Sequence, residues 1–239
     1  MNIGGFQKNT LIDFPGTIAC TLFTQGCNFI CPYCHNPDLV VSPLKRSDDL
    51  PDKNKIDKNK IFEFLEARKG LLEGVVITGG EPTLQKDLIE FCREVKNMGY
   101  KIKLDSNGTR PEILASLLND KLIDFISMDI KTSLENYNLV ISGQFDTKKI
   151  LSSIRLLMEK APDYEFRTTC SKPFINNEIM QDIGKMINGA KKYILQKCSR
   201  NVKVLDQKFI KSDDIFFSNQ QMLELKAVVD KYVLSSIVR

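Results

Sequence analysis

The strongest constraint on how this chain can fold is its rhythm. Short runs rich in β-branched and aromatic residues alternate with longer segments of helical periodicity. Strand-like runs fall at 17–25, 74–79, 100–106, 123–130, 164–170 and 191–196. A helical pattern follows most of them. In 60–70, Ile61, Phe64 and Leu65 recur on one face before Gly70; in 84–99, Leu88, Phe91, Cys92 and Val95 do so before Gly99. Similar patterns occupy 110–120, 148–161, 177–187 and 218–233. Such alternation builds a parallel sheet from βα units. Six units in 239 residues, with no Pro- or Ser-rich linker, predict a single α/β domain over 1–239. A closed eight-fold barrel takes about 250 residues, so the expected fold is a partial (β/α)6 TIM-like barrel. Residues 41–57 lack apolar periodicity and read as a surface excursion.

Composition narrows the function classes. With 42% hydrophobic and 27% charged residues, no apolar run approaches the roughly 18 residues of a membrane helix. The N-terminal MNIGGFQKNT lacks the basic start and apolar segment of a secretory signal. A cytoplasmic protein without a membrane partner is expected. The net charge of +4 falls short of the basic footprint of a nucleic-acid binder, and the lysines of 52–60 are interleaved with aspartates, as in a solvated loop or helix start. In a reducing compartment, seven cysteines point to metal binding or catalysis rather than disulfides.

In folds of this class the chemistry sits where strands end, and the unusual residues gather there. The first strand runs into a cysteine loop, the second into Gly79-Gly80-Glu81, the third into Asp105-Ser106-Asn107, the fourth into Asp129 and Lys131; the fifth carries Arg167 and the sixth ends at Gln196. Singly, these are ordinary turn and capping chemistry. Together they mark one rim.

The cysteine loop, GCNFICPYCHNP at 26–37, admits three metal readings. CPYCH matches a c-type haem attachment, but that leaves Cys27 idle and uses His35, the only histidine. Zinc would take Cys27, Cys31, Cys34 and His35, although adjacent residues rarely reach one metal and no second CxxC exists. The third reading is an iron-sulfur cluster held by three thiolates, one short of the usual four. Cys20, Cys92, Cys170 and Cys198 read as small buried residues. An iron without a protein ligand stays open to substrate, as catalytic zinc does.

Cys27, Cys31, Tyr33 and Cys34 in the order C-x3-C-x-Tyr-C, followed after the next strand by Gly79-Gly80-Glu81, resemble the radical S-adenosylmethionine (SAM) superfamily. The wider string GFQKNTLIDFPGTIACTLFTQGCNFICPYCHNP is similar to the activating enzymes of glycyl radical enzymes, most closely those of anaerobic ribonucleoside-triphosphate reductase. The similarity runs from Gly5 to the end, including a C-terminal strand at SSIVR. It implies a 4Fe-4S cluster on Cys27, Cys31 and Cys34 with the fourth iron open to SAM, whose reductive cleavage generates a glycyl radical on a partner enzyme. Gly79, Gly80 and Glu81 would lie by the methionine amino group, and Tyr33 and His35 by the adenine. Asp105, Ser106 and Asp129 match a set that holds a monovalent cation beside the SAM carboxylate in a related activator of pyruvate formate-lyase. Lys131 matches a residue near that carboxylate, and Asn107, Arg167 and Gln196 are further candidate contacts. Phe29, Ile30 and Tyr33 would shield the cluster.

The pyruvate formate-lyase activator uses a late-strand histidine at the SAM site, and this chain has no histidine after His35. That departure favours the reductase-type activator and leaves one carboxylate contact unassigned. No ferredoxin-like cysteine insert is present, so an external flavodoxin or ferredoxin is the expected electron donor. The alternatives are an activator of another glycyl radical enzyme such as pyruvate formate-lyase, a small-molecule radical SAM enzyme of the deazaguanine synthase kind, and a non-catalytic zinc or iron-sulfur module.

Overall fold

The structure is a computed structural model that describes residues 1–40, 56–141 and 145–239. Eight strands form one sheet: β1 (Ile3–Thr10), β2 (Ala19–Thr24), β3 (Gly74–Gly79), β4 (Lys101–Ser106), β5 (Phe125–Asp129), β6 (Tyr164–Cys170), β7 (Tyr193–Lys197) and β8 (Ser236–Val238). Their spatial order is their chain order. From β2 onward every pair is parallel, whereas β1 runs antiparallel to β2. Six helices follow β2 to β7 in turn: α1 (Lys58–Ala67), α2 (Leu88–Asn97), α3 (Pro111–Asn119), α4 (Lys148–Lys160), α5 (Asn177–Met186) and α6 (Asn219–Val229). The six expected βα units are all present. The sheet does not close, since β1 and β8 each pair with a single neighbour; the barrel is partial.

The helices bury the faces their periodicity predicts. On α2, Leu88, Phe91, Cys92 and Val95 are all buried. Asp57 caps α1 by accepting from the Asn59 amide at 2.9 Å, which bears out the helix-start reading at that end. Residues 41–55 of the surface excursion lie outside the described residues, and Ile56 bridges back to Ile3. Strand β1 is an element the sequence reading does not contain. Its two glycines and polar, solvent-facing centre hide it, because an edge strand needs no apolar alternation to be held by a neighbour. No helix among the described residues is long and apolar enough to cross a membrane.

The open end of the sheet nearest the strand starts is stopped from within. Between β1 and β2 the chain turns inward, and Phe14 packs with Ala19, Val76 and Phe125 in a small cluster separate from the main core. The Phe14 and Phe125 rings are 6.2 Å apart. A Cβ on Gly74 would stand 2.9 Å from the Phe14 ring, so glycine starts β3 because the plug needs that space. Phe14→Ala should lower the unfolding free energy by about 3–5 kcal/mol, the usual effect of emptying a phenylalanine site, as read by equilibrium urea unfolding; a loss under about 1 kcal/mol, typical of a surface change, would show that Phe14 seals nothing.

Candidate active site

Every residue singled out at the strand ends lines one cavity of about 370 Å³ at the C-terminal rim of the sheet. That volume lies in the ordinary range for small-molecule sites, about 300–1,000 Å³. Cys27, Cys31 and Cys34 form one wall with Tyr33 and His35; Gly79, Gly80 and Glu81 lie beside them; Asp105, Ser106, Asn107, Asp129, Lys131, Arg167 and Gln196 complete the lining. The other four cysteines are buried elsewhere and do not face it.

The cysteine loop is held from outside by later parts of the chain. The Ile30 amide donates to the Val140 carbonyl at 2.9 Å, and the Asp206 amide to the Pro32 carbonyl at 3.0 Å. Phe29 meets Tyr137 edge-on at 6.1 Å, and Tyr33 meets Phe174 at 5.3 Å and Phe209 at 6.4 Å. Phe29 and Tyr33 are thus buried as a shield requires. Ile30 is not: its side chain is 42% exposed and faces outward, a correction to the sequence reading. Burial pushes the Cys27 thiol up to about 12 and the Cys31 thiol up to about 11, the Lys131 charge opposing the rise at Cys31. Loading a metal here therefore displaces protons.

The Gly-Gly pair is required by packing against the end of β2 and the start of the cysteine loop. The Gly80 amide donates to the Thr24 carbonyl and the Glu81 amide to the Gly26 carbonyl, each at 2.8 Å. A Cβ on Gly80 would collide with the Gly26 carbonyl, and one on Gly79, whose φ is +113°, with the Thr24 backbone. Glu81 lines the cavity, with its carboxylate engaged by neighbouring loops. Its carboxylate is buried and accepts from the Thr83 amide at 3.1 Å, the Thr83 hydroxyl at 2.5 Å, the Ser106 hydroxyl at 2.9 Å and the Asn107 amide at 2.6 Å. Burial raises its pKa against the pull of these donors. The Asn107 side chain then donates to the Asn28 side chain at 2.9 Å, and Asn28 to the Thr109 hydroxyl at 3.0 Å. Three strand-end loops are tied in one run. Sequence reasoning missed Asn28 and Thr109; the available signal was a carboxamide or hydroxyl in each loop without a capping role.

Beneath the thiols lies a ladder of alternating charge. Asp105 accepts from Lys103 on one oxygen and, on the other, from Arg167 at 3.1 Å and the Thr78 hydroxyl at 3.3 Å. Asp129 accepts from Arg167 at 2.8 Å and from Lys131 at 2.9 Å. Burial alone would raise both carboxyls, but the facing cations hold them below their ordinary range, Asp129 well below. Lys131 and Arg167 are raised in turn, the two carboxylates outweighing the cost of burial. Lys103, 2% exposed, was not foreseen, because a lysine in mid-strand reads as a surface residue.

The residues present suit an iron-sulfur cluster with a bound nucleoside better than a zinc ion. Among the described residues no three His, Cys, Asp or Glu side chains converge on one ion position, as zinc would need; the thiols instead wall a space for something larger. The Tyr33 hydroxyl is buried without a hydrogen-bond partner, a state that costs about 1–3 kcal/mol and that a polar ligand group relieves.

Comparison with known proteins agrees. The model of the radical SAM superfamily matches residues 21–188. A protein of Methanocaldococcus jannaschii named "Putative glycyl-radical enzyme activating enzyme" is 31% identical over 242 residues, covering 99% of this chain and 95% of its own length. The pyruvate formate-lyase-activating enzyme of Listeria monocytogenes is 39% identical over 131 residues, 50% of this chain and 49% of that enzyme. Among solved structures, Streptococcus suis SuiB bound to S-adenosylmethionine has a TM-score of 0.61 at 16% identity, over 89% of this chain and 48% of that one. A domain of the pyruvate-formate lyase-activating enzyme from Bacteroides vulgatus has a TM-score of 0.53 at 15% identity, over 70% of this chain and 99% of that one. At such identities the structural likeness speaks for the fold alone. The chain belongs to the radical SAM superfamily, whose cofactors are a 4Fe-4S cluster and SAM. Within it, the chain groups with the glycyl-radical enzyme activating enzymes.

Glu81→Ala would leave four donors from two loops without their acceptor. The variant should lose about 1–3 kcal/mol of stability, as stranding buried donors does, and amide exchange should speed up more at Ser106–Thr109 than in α5. Unaltered exchange at Ser106–Thr109 would mean that the loops are held by something else.

Proposed function

We propose that this protein reductively cleaves SAM and uses the product radical to place a glycyl radical on a partner enzyme, anaerobic ribonucleoside-triphosphate reductase. The observation that carries the reading is the convergence of Cys27, Cys31 and Cys34 with the Gly79-Gly80-Glu81 turn and the Asp129–Lys131 end of the ladder on one cavity. The three thiols would hold three irons of a 4Fe-4S cluster. When bound, it supplies one electron to the SAM sulfonium, giving methionine and a 5'-deoxyadenosyl radical that takes the Cα hydrogen of the partner's glycine.

The chain's own residues bind, orient and shield. Phe29 and Tyr33, buried on either side of Cys31, keep water from the thiols. The Gly79 carbonyl, which accepts from Asn36 at 3.4 Å, retains a lone pair for the methionine amino group, and Glu81 serves by fixing that turn. Lys131 and Arg167 present positive charge to the carboxylate, where charge-assisted hydrogen bonds are strongest. Asp105, Asp129 and Ser106 steady those cations and the loops around them; the monovalent cation implied for this trio is considered below. Tyr33 and His35 flank the adenine, with His35 at the exposed mouth, where burial of one face and the Lys131 charge lower its pKa. Asn107 and Gln196 offer polar contacts to the ribose. A flavodoxin or ferredoxin supplies the electron.

A second partner, pyruvate formate-lyase, is favoured by one observation, the 39% identity to the Listeria activator over half of this chain. Incubating the reconstituted protein with reduced flavodoxin, SAM and each candidate partner under anaerobic conditions separates the two by electron paramagnetic resonance. A glycyl radical on the reductase supports the first reading, one on pyruvate formate-lyase alone replaces it with the second, and no radical on either defeats the activase assignment. Cys27→Ala, Cys31→Ala and Cys34→Ala should each lose the cluster, read as iron content and visible absorbance. His35→Ala should keep its iron and bind SAM more weakly, by about tenfold if a contact worth about 1.4 kcal/mol is lost.

A further inference from the structure

The trio matched to a monovalent cation does not fit one. A sodium or potassium ion is held by oxygen ligands, and the oxygens it would need are engaged. One Asp105 oxygen accepts from Lys103, the other from Arg167 and Thr78; one Asp129 oxygen accepts from Arg167, the other from Lys131. Ser106 donates its hydroxyl to Glu81 at 2.9 Å and receives the Gly108 amide at 3.1 Å. No carboxylate oxygen of the pair lacks a cationic donor.

We propose that the guanidinium of Arg167, which bridges Asp105 and Asp129, occupies the place of the monovalent cation and makes SAM binding independent of one. This inference rests on the radical SAM reading and goes beyond it by assigning Arg167 a positioning role. Charge counting supports it. Lys103, Arg167 and Lys131 oppose Asp105 and Asp129, leaving one positive charge among groups that are at most 26% exposed. An incoming carboxylate completes that balance. An added cation would instead leave a second excess positive charge in a poorly solvated interior, where uncompensated charge is costly. It would also have to break the Arg167 bonds to both aspartates. Geometry favours arginine over an ion in one further respect. Nε and Nη1 point in different directions from one rigid plane and reach the two separate carboxylates at 2.8 and 3.1 Å, so the group ties β6 to both β4 and β5 as well as setting the charge.

Two measurements test this. First, thallous ion, a spectroscopic stand-in for potassium, is titrated against the cluster-free protein by 205Tl nuclear magnetic resonance. No saturable binding is expected in the wild type, and saturable binding in the millimolar range would overturn the proposal. This arm does not depend on SAM chemistry. Second, SAM affinity of the cluster-loaded protein is measured at fixed ionic strength with tetramethylammonium, sodium or potassium as the monovalent cation. The wild-type Kd should vary by no more than about twofold, whereas tightening of about tenfold on adding potassium or sodium, worth about 1.4 kcal/mol, would overturn the proposal. Arg167→Gln should weaken SAM binding by about tenfold or more in tetramethylammonium, as loss of a charged hydrogen bond does, and regain affinity in sodium or potassium; unchanged affinity in tetramethylammonium would count against it. Arg167→Lys guards against a folding defect, since it keeps the charge and should remain insensitive to the cation. Absence of SAM binding by the wild type in every salt would instead strike at the radical SAM reading, with the thallium titration still deciding the role of Arg167.

Discussion

The Glu81 carboxylate is the constraint on which the site depends. In a partial barrel each strand ends in its own loop, and nothing in the sheet fixes one loop against the next. Glu81 does so by collecting donors from its own turn and from the loop after β4. A buried carboxylate is tolerated only when its hydrogen bonds are made, so the loops cannot separate without exposing or stranding it. The run on through Asn107 and Asn28 carries that fixity to the loop bearing Cys27. The thiols are thus placed by groups from two strand ends as well as by their own spacing.

Below that junction the barrel interior is layered by chemistry. Phe14, Ala19, Val76 and Phe125 close the base. The five-membered ladder from Lys103 to Lys131 crosses the middle, and the thiols and their aromatic supports lie at the rim. The apolar layer below raises the cost of any unpaired charge in the ladder, which is why its members alternate strictly in sign. Lys103 stays beneath the cavity, whereas Lys131 and Arg167 reach its lining, so the cations offered upward are those two, suited to an anionic ligand group.

Much of this was legible in the sequence, for identifiable reasons. Strands β3 and β6 match their predicted limits of 74–79 and 164–170 residue for residue; in β3 the signal is the continuous β-branched run Val75–Thr78, the mark of a buried parallel strand. The strand-end residues converge as anticipated, since their places follow from topology alone. What stayed hidden was whatever depends on pairing across the barrel. Lys103 is buried because Asp105 and the Phe125 ring lie beside it, a fact of three-dimensional neighbours. Glu81 reads as a ligand contact in a GGE motif, yet its direction is set by Ser106 and Asn107 from another strand. Strand β1 carries no periodic signal, and the outward turn of Ile30 goes with the hydrogen bond that its amide donates to the Val140 carbonyl, far along the chain.

The same division bears on the choice of partner. Proteins at 15–16% identity share this fold over 70–89% of the chain while having names as different as SuiB and a pyruvate-formate lyase-activating enzyme, so the fold alone does not choose the substrate. On the proposed function, the ladder, the Glu81 junction and the three thiols would serve a small cofactor rather than the partner. On the same proposal, a partner's loop would have to enter at the unclosed side of the sheet between β1 and β8, and selection would act there. Among the described residues β1 pairs with β2 alone in the sheet and β8 with β7 alone, and neither contributes a side chain to the cavity lining. Changes at their exposed positions would therefore leave the cavity chemistry as it is.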